Sequence, residues 1–483
     1  MGKTGHMFWC GFMAILLLVG CGPTKPSVGT STSDTDDEKP TTLTVAAYGF
    51  CKGDIGLDII TQAFRMKHRK CQVEVTYYPE LAEDHPGTRV YDFSDDQLVA
   101  SVRERFATET MAGKGADVIV VAPGLTANPY VAAEQGYFED ISTYIDDNPD
   151  FDKDEYYMPI LDAGVVGGKR YYLPVGFTYL PIQMTEETAK RYGLSPERPL
   201  SLEEWMNLAV KTQEEGALLL HTWDFDHYGK KMEQYFRYIL LSGCPVPFDM
   251  EKKEANFDTP HFRQALDFVQ ELVFHRMDAQ NYDAHERDSV VMWGSETFSD
   301  TFDIISVKMT AMSHLADLDT VLMNYPAMEE GQGDLAFVQK VLAVSAGSKQ
   351  KALAADFCLA ALNHSVQYQF MATTPGFGMA TSLAPRSVSR KAMERIMGDL
   401  VENRLPGVSG VDARELAGPE WIFSQTLADQ YLGCLDNIKR AILYNPDMEK
   451  LVDEQIQKYF DGEMSQDELV QLLTKRVDFY LKE

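Results

Sequence analysis

Aromatic and acidic side chains stand close together at several places in the sequence. Trp223-Asp224-Phe225-Asp226 directly follows the apolar run 217–220, and Trp293 and Glu296 follow the apolar run 290–292 in the same way. An aromatic ring stacks on the apolar face of a sugar ring, while carboxylates accept hydrogen bonds from its hydroxyl groups. We therefore predict that Trp223, Asp224, Trp293 and Glu296 contact a small polar solute. The alternative for the first cluster is a surface loop whose Trp223 packs beneath neighbouring helices.

A second set of candidate ligand contacts lies at the ends of predicted strands and ahead of a helix. Its members offer a solute ring faces, apolar surface, a carboxylate and a cation: Tyr48, Phe50, Lys52, Asp54, Pro123, Leu125, Phe177, Tyr179 and Trp421. For the aromatic members the alternative is that the ring covers the hydrophobic core. Trp205 is assigned to core packing alone, because it lies on the buried face of a predicted helix.

Catalytic and metal-binding patterns are incomplete in this sequence. The stretch 164–170 (GVVGGKR) is one residue short of a phosphate-binding loop and has Arg170 where Ser or Thr is required. His285-Glu286 lacks the second histidine of a zinc helix, and the acidic run 146–154 lacks the glycine and closing glutamate of a calcium loop. We therefore expect no catalytic residue, no metal and no cofactor. A lipid-anchored glycan hydrolase that uses Asp224 and Asp226 is the alternative from the enzyme class.

The elements that must position these side chains begin with alternating strand and helix patterns. Apolar periodicity predicts, in order, a strand over 42–48, a helix over 55–67, a strand over 72–78, a helix over 95–111 and a strand over 117–121. This βαβαβ order predicts right-handed crossovers and a parallel sheet. Ligands of such sheets bind at the carboxyl ends of the strands, which is where Tyr48 and Phe50 stand.

The remainder of the chain continues with mixed elements. Gly167-Gly168 predicts a hairpin, and Ser201 with Glu204 forms a capping box that begins a helix reaching Lys211. The other predicted segments are an extended stretch over 170–184, a helix over 185–192, a helix after Pro260, a strand over 338–345, a helix over 349–362 and a helical tail over 448–481.

The amino-terminal segment has the pattern of an export signal over residues 1–20, in which Lys3 precedes an apolar stretch from Met7 to Val19. That stretch has about 13 residues, against the roughly 20 that a membrane-spanning helix needs. Leu18-Val19-Gly20-Cys21 resembles the lipobox of bacterial lipoproteins, which predicts acylation of Cys21 and an anchor on the extracytoplasmic face of the cell membrane. Residues 21–41 are polar and read as a disordered tether.

Composition narrows the choice of function. The formal net charge of −29 argues against nucleic acid as a partner, because binding a phosphate backbone requires clustered Lys and Arg. Of the seven cysteines, Cys10 and Cys21 belong to the amino-terminal segment, and the odd number that remains does not indicate a disulfide framework. The roughly 440 residues of the folded part suggest two lobes, and we expect a monomer.

Five short stretches, in this order and spacing, resemble the family of extracellular solute-binding proteins (family 1) that includes maltose-binding protein. They are 115–119 (GADVI) with 135–141 (QGYFEDI), 168–174 (GKRYYLP), 199–205 (PLSLEEW), 256–260 (NFDTP) and 342–349 (LAVSAGSK). The resemblance covers nearly the whole chain. It departs from the family where Pro181-Ile182-Gln183-Met184 replaces a common Tyr-Asn pair, and where Val121 stands at the place of a sugar-stacking tryptophan.

The resemblance implies an α/β, periplasmic-binding-protein-like fold of type II, with two lobes that are each a sheet flanked by helices. Three hinge crossings are expected near 176–178, 337–340 and 376–379, which assigns 42–176 with 338–377 to the N-terminal lobe and 177–337 with 378–483 to the C-terminal lobe. It further implies capture of a sugar or oligosaccharide between the lobes and delivery to the permease subunits of an ABC importer. The remaining alternative is a ligand-sensing partner of a membrane sensor kinase.

Overall fold

The alternation predicted for residues 42–121 is present in the structure, which is a computed structural model. It describes residues 41–48, 55–78, 96–122, 124–179, 181–214, 218–221, 235–250, 252–277, 289–292, 320–372, 386–404 and 423–482. The described elements belong to one compact unit, Thr41–Glu483. None of the helices in these ranges is both long enough and apolar enough to cross a membrane.

Most of the described strands are short. In chain order they are β1 Thr42–Tyr48, β2 Gln72–Tyr78, β3 Val118–Val121, β4 Val165–Val166, β5 Lys169–Arg170, β6 Leu173–Pro174, β7 Gly176–Phe177, β8 Ile182–Thr185, β9 Leu218–His221, β10 Phe248–Asp249, β11 Glu254–Ala255, β12 Ser289–Met292, β13 Thr320–Met323, β14 Asp334–Val338, β15 Val341–Val344, β16 Arg386–Ser387 and β17 Ile438–Leu443.

The described helices surround these strands. They are α1 Ile55–Lys67, α2 Asp96–Met111, α3 Pro129–Glu134, α4 Ser142–Asp146, α5 Met158–Asp162, α6 Glu186–Tyr192, α7 Leu202–Glu214, α8 Tyr235–Leu241, α9 Pro260–Met277, α10 Lys351–Ala360, α11 His364–Ala372, α12 Arg390–Val401, α13 Gln425–Asp436, α14 Pro446–Phe460 and α15 Gln466–Lys482, together with a 3-10 turn over Lys153–Glu155. The tail predicted as helical over 448–481 is therefore two helices.

The first sheet has five strands in the order β2-β1-β3-β15-β6. β1 is parallel to both β2 and β3, which confirms the predicted parallel arrangement. β15 enters antiparallel, with Val341 opposite Val121. All four residues of β3 and all four of β15 are buried and apolar, as expected for strands whose two faces are covered. On this sheet, α1 packs against α10 and α11.

The second sheet has four strands in the order β13-β8-β12-β9. The helix α7 packs against β9 and α9. It begins with the predicted capping box, in which the Ser201 amide donates to Glu204 Oε2 at 2.8 Å and the Glu204 amide donates to Ser201 Oγ at 3.2 Å. Trp205 is fully buried, which confirms its assignment to packing.

The strand predicted over 338–345 corresponds to β15, and its first residue, Val338, is the last of β14, because the chain changes partners at Gln339-Lys340. β14 pairs parallel with β17, while β15 joins the first sheet. Apolar periodicity is the same on both sides of this break, so the pattern alone does not reveal it.

A set of short strands, which we call the waist, lies where the chain passes between the two sheets. It consists of β7 paired with β16 and β14 paired with β17. Thr178 and Phe337 join the two pairs through reciprocal backbone hydrogen bonds of 2.8 and 3.1 Å. The chain leaves the first sheet after β6 and enters the second at β8, then returns between β13 and β15. The third predicted crossing, 376–379, lies outside the described residues.

Candidate ligand-binding site

Two strands of the waist, β14 and β17, end close to the end of β3 in the first sheet. β14 and β17 run parallel, so Val338 and Leu443 stand side by side at their carboxyl ends, and the Tyr444 amide donates to the Val338 carbonyl at 2.7 Å. β3 ends nearby at Val121, opposite the first residue of β15. Carboxyl ends of parallel strands are the common place for a ligand in α/β folds.

A small pocket opens at this convergence, and we call it the strand-end pocket. Strands of the first sheet and of the waist supply part of its walls, and the loops between β3 and α3, between β14 and β15 and between β17 and α14 supply much of the rest. The lining residues are Val121, Ala122, Gly124, Thr126, Pro129, Tyr172, Val338, Gln339, Val341, Leu443, Tyr444 and Asn445.

A second small pocket shares Leu443, Tyr444 and Asn445 with the first, and we call it the ion-pair pocket. It reaches toward α8, α14 and the start of β10. Its other lining residues are Tyr130, Phe236, Arg237, Leu240, Phe248, Phe337, Ile442, Met448 and Glu449.

A buried ion pair stands in the wall of the ion-pair pocket. Arg237 Nη2 donates to both carboxylate oxygens of Glu449, at 2.9 and 3.0 Å, and the two side chains are only 5 % and 10 % exposed. The guanidinium also lies 5.7 Å from the ring centre of Phe337 and 5.4 Å from that of Tyr444. Burial lowers the pKa of Arg237, but the neighbouring Glu449 carboxylate and tyrosine hydroxyl groups outweigh this and the net pKa is raised, so the guanidinium stays charged.

The loop after β3 is held against α14 by polar contacts. Arg103 Nη2 donates to Asp447 Oδ2 at 2.8 Å and to the Gly124 carbonyl at 2.6 Å. Gly124 has a φ of +77°, which a residue with a Cβ adopts only with strain, and an added Cβ would lie 3.4 Å from Pro446. Asn445 Oδ1 accepts from the Met448 amide at 3.2 Å and so caps α14. These contacts fix the rim shared by the two pockets.

The structure places Tyr48, the first candidate contact, inside the first sheet. Its side chain is 1 % exposed, its hydroxyl donates to Glu109 Oε2 at 2.7 Å, and its ring stacks on Tyr78 at 4.8 Å. Burial raises the pKa of Tyr48, and the hydrogen bond to Glu109 raises it further. Leu125 is also buried, at 2 %. Neither residue lines the two pockets, so their contact with a solute stays a prediction.

Phe177 and Tyr179 lie in and beside the waist. Phe177 is fully buried and packs edge-to-face against Tyr157. Tyr179 is 3 % exposed, and its hydroxyl donates to Asp334 Oδ2 at 2.5 Å. Asp334 also accepts from the Tyr325 amide and from Asn437 Nδ2, both at 3.2 Å. Both aromatic residues hold the waist in this structure, and their role as ligand contacts stays a prediction.

The other predicted contacts fall outside the described residues. They are Phe50, Lys52, Asp54, Pro123, Trp223, Asp224, Trp293, Glu296 and Trp421, together with the predicted lipidation site Cys21.

Sequence reasoning missed the residues that line the pockets. Gln339 lies at the break between β14 and β15, Arg237 lies within the apolar helix α8, and Asn445 precedes α14. Only Asn445 carries a local signal, since Asn followed by Pro is typical of a helix start. The other two acquire their position from strand pairing and helix packing between residues far apart in sequence.

One cluster in the described residues resembles a nucleophile relay. His364 Nδ1 lies 2.8 Å from Ser389 Oγ, and its Nε2 lies 2.6 Å from Glu155 Oε2. Ser389 is fully buried, and its hydroxyl accepts from the Ala392 amide as the cap of α12. None of the three lines either pocket, so the cluster stabilises a helix end. In the part of the chain that the structure describes, no group of three His, Cys, Asp or Glu side chains converges as a metal site.

Comparisons with known proteins identify the fold. No protein-family model matches the sequence, and no curated protein matches it. Among solved structures, the sugar-binding protein MalE from Xanthomonas citri superposes with a TM-score of 0.59 at 14 % identity, covering 92 % of this chain and 98 % of that one. An extracellular solute-binding protein family 1 from Alicyclobacillus acidocaldarius gives a TM-score of 0.58 at 12 % identity, covering 92 % and 100 %.

A cyclic alpha-maltosyl-1,6-maltose binding protein from Arthrobacter globiformis is similar as well, with a TM-score of 0.56 at 14 % identity over 92 % of this chain and 99 % of that one. The similarity covers most of the chain, as the resemblance of the five sequence stretches predicts. The fold of this chain is therefore the two-lobed α/β fold of the maltose-binding-like extracellular solute-binding proteins of family 1.

Proposed function

We propose that this protein captures a sugar or oligosaccharide between its two lobes and delivers it, chemically unchanged, to the permease subunits of an ABC importer. The observation that carries the proposal is the pair of adjoining pockets at the convergent ends of β3, β14 and β17, directly beside the waist. A solute bound there contacts elements on both sides of the chain's passage between the sheets. The names of the similar structures, which describe binding proteins for sugars, support this class of solute.

The proposal includes the lobe boundaries expected from the sequence. The N-terminal lobe comprises 42–176 and 338–377, and the C-terminal lobe comprises 177–337 and 378–483. Strand membership supports the first boundary, because β6 belongs to the first sheet and β8 to the second. Hinge motion at a few residues between such lobes is a common way to enclose a ligand.

A thermal-shift screen tests solute capture. The mature protein is screened against neutral sugars, oligosaccharides, peptides, polyamines and metal ions, with maltose among the sugars. A ligand present at about 100 times its Kd adds roughly 2.7 kcal/mol to the free energy of unfolding. We expect neutral sugars to raise the melting temperature and to be recovered unaltered after long incubation. Stabilisation by peptides or metal ions alone would disprove the sugar class, and a hydrolysed sugar would support the glycan hydrolase.

A pocket-filling variant gives the screen a structural control. Thr126 lines the strand-end pocket and is half-buried, whereas Thr143 is exposed on α4. Thr126→Trp places a large ring in the pocket, so we expect it to abolish sugar stabilisation. Thr143→Trp makes the same change on the surface and retains it. Equal ligand responses from the two variants would place the solute elsewhere.

We propose that Cys21 carries the lipid that anchors the protein on the extracytoplasmic face of the cell membrane, with 21–41 as the tether. Mass spectrometry of the amino-terminal peptide from a bacterial host tests this. Acyl chains on Cys21 that disappear in Cys21→Ser and persist in Cys10→Ser support the anchor. An unmodified Cys21 in the wild-type protein contradicts it.

A further inference from the structure

The side chain of Gln339 does not use all of its hydrogen-bonding groups within the fold. It stands between the last residue of β14, Val338, and the start of β15 at Val341, and it is only 9 % exposed. Its amide nitrogen, Nε2, has no hydrogen-bond partner in the structure. The same residue lines the strand-end pocket. A residue that carries a buried, unpaired donor therefore lines the strand-end pocket.

Such a donor is unusual in a folded protein. The large majority of buried polar side-chain atoms have a partner, because an unpaired one loses its hydrogen bonds to water and gains none in return. An apolar side chain of similar size at this position would not carry that cost. A hydrogen-bond acceptor on a bound ligand would pair with Nε2, and the cost of the unpaired amide would then be removed whenever the pocket is occupied.

Two other polar side chains of the strand-end pocket, Tyr172 and Asn445, are already engaged. The Tyr172 hydroxyl donates to the Pro129 carbonyl at 2.5 Å. Asn445 uses its oxygen to cap α14, and its nitrogen donates to the Tyr480 hydroxyl at 2.5 Å. The Nε2 group of Gln339 is therefore available as a donor, whereas the side chains of Tyr172 and Asn445 already have partners.

The pocket is also uncharged. Among the described residues that line it there is no Asp, Glu, Lys, Arg or His. In the adjoining ion-pair pocket, Arg237 and Glu449 neutralise each other. A carboxylate, phosphate or ammonium group entering the strand-end pocket would lose its hydration without gaining a partner of opposite charge from these residues.

We infer that Gln339 donates a hydrogen bond from Nε2 to an uncharged oxygen of the solute, a hydroxyl, ring or glycosidic oxygen, and that the strand-end pocket selects neutral over charged sugars. This rests on the proposed function and assigns it a specificity-determining residue. Gln339 lies on the return passage from the second sheet to the first, so the bond links solute occupancy to the waist.

Gln455 provides a matched control for this role. It is fully buried on α14, and both its amide nitrogen and its oxygen lack partners, but it lines neither pocket. Gln339→Leu and Gln455→Leu therefore make the same chemical change in the same kind of burial. Because Nε2 of Gln339 and both amide atoms of Gln455 lack partners, neither change removes a hydrogen bond that these atoms make within the fold.

Titration calorimetry and thermal unfolding of both variants test the inference. The probes are maltose and any other neutral sugar that stabilises the wild-type protein, with maltobionate as the charged counterpart of maltose. We expect Gln339→Leu to bind the neutral sugar about fivefold to tenfold more weakly, in keeping with one lost neutral hydrogen bond. Its melting temperature without ligand should equal or exceed that of the wild type. Gln455→Leu should keep the wild-type affinity, and maltobionate should bind more weakly than maltose.

The outcomes separate this inference from the proposed function. Unchanged sugar affinity in Gln339→Leu, or maltobionate binding as tightly as maltose, overturns the inference and leaves sugar capture intact. Equal losses of affinity in both Leu variants also overturn it, because the effect would then follow from core change alone. A wild-type protein that no neutral sugar stabilises overturns the proposed function first, and the inference with it.

Discussion

At the residue scale, the Arg237–Glu449 pair holds α8 against α14. Glu449→Gln leaves a buried guanidinium without its counter-charge, so we expect the free energy of unfolding to fall by about 3–5 kcal/mol. Replacing both residues by Met removes the charges together and should cost less than Glu449→Gln alone. Urea denaturation followed by circular dichroism measures both.

The exposed pair Lys190–Glu186 is the control for that experiment. Its atoms lie 2.9 Å apart, but the side chains are 71 % and 49 % exposed, so Glu186→Gln should change stability by no more than about 0.5 kcal/mol. If Glu449→Gln is as harmless as Glu186→Gln, the buried pair does not stabilise this packing.

Asp334 predicts a dependence of stability on pH. The carboxylate is 3 % exposed, and burial raises its pKa to about 7 although hydrogen bonds from Tyr179 and Tyr325 and the charge of Arg440 oppose the rise. Because the folded state holds the proton more tightly than the unfolded state, Asp334 destabilises the fold when ionised. Stability from this group therefore increases as pH falls below about 7, and it is complete below the ordinary value of 3.8.

We expect the wild type to be about 2 kcal/mol more stable at pH 5 than at pH 8 through this group, since one pKa unit corresponds to about 1.4 kcal/mol. Asp334→Asn cannot ionise and should lose that part of the difference. Thermal unfolding at both pH values measures it. The same pH dependence in wild type and variant would mean that another group is responsible.

At the element scale, residues in the stretches that carry the family resemblance form hydrogen bonds that join one element to another, and we call such residues joints. Asp117 Oδ2 accepts from the Thr44 amide at 3.0 Å and from its hydroxyl at 2.8 Å, and Asp117 Oδ1 accepts from Ser348 Oγ at 2.6 Å. One carboxylate thus joins β1, the start of β3 and the turn after β15. The stretches around Phe138 and Ser345 meet in an isolated bridge at the same edge of the sheet.

Asp117→Ala should therefore destabilise the fold and spare ligand binding. Three hydrogen bonds to a charged acceptor are lost, for which we expect about 2–3 kcal/mol. Asp117 precedes β3, whereas the strand-end pocket lies at its other end, roughly 13 Å away by strand rise. Urea unfolding and sugar titration together check both parts. Asp150→Ala, which removes an ion pair with Lys67 between side chains that are about three-quarters exposed, is the control and should change neither.

These joints explain what the sequence could and could not reveal. Periodicity placed β1, α1 and β2 at the bounds that the structure has, because each element has a clear apolar face and a local end. The break at Gln339-Lys340 was invisible, because it depends on β17, about a hundred residues later, pairing with β14. Gln339 and Arg237 become pocket residues only through such distant pairings, and no local pattern marks them.

At the scale of the whole molecule, local sequence patterns indicate the fold, whereas the pocket residues are brought together by pairings between distant parts of the chain. The family resemblance rests on joints such as Asp117 and on caps such as Ser201, which any member needs whatever it binds. The pocket residues Arg237, Gln339, Tyr444 and Asn445 lie outside the resembling stretches, and Tyr172 lies within one of them. The fold was therefore predictable from short stretches, and the solute was predictable only as a broad class.

The arrangement of the waist leads to a prediction about motion. The first two crossings are tied to each other by the Thr178–Phe337 hydrogen bonds, and the pockets lie directly beside them. A solute that contacts both lobes favours the closed arrangement by its greater affinity for that state. We expect small-angle X-ray scattering to show a smaller radius of gyration when a stabilising sugar is added. Thr126→Trp, whose ring fills the pocket, should show no change on adding the sugar, and Thr143→Trp should contract like the wild type. A wild-type radius unaltered by a sugar that demonstrably binds would mean that the lobes do not close on it.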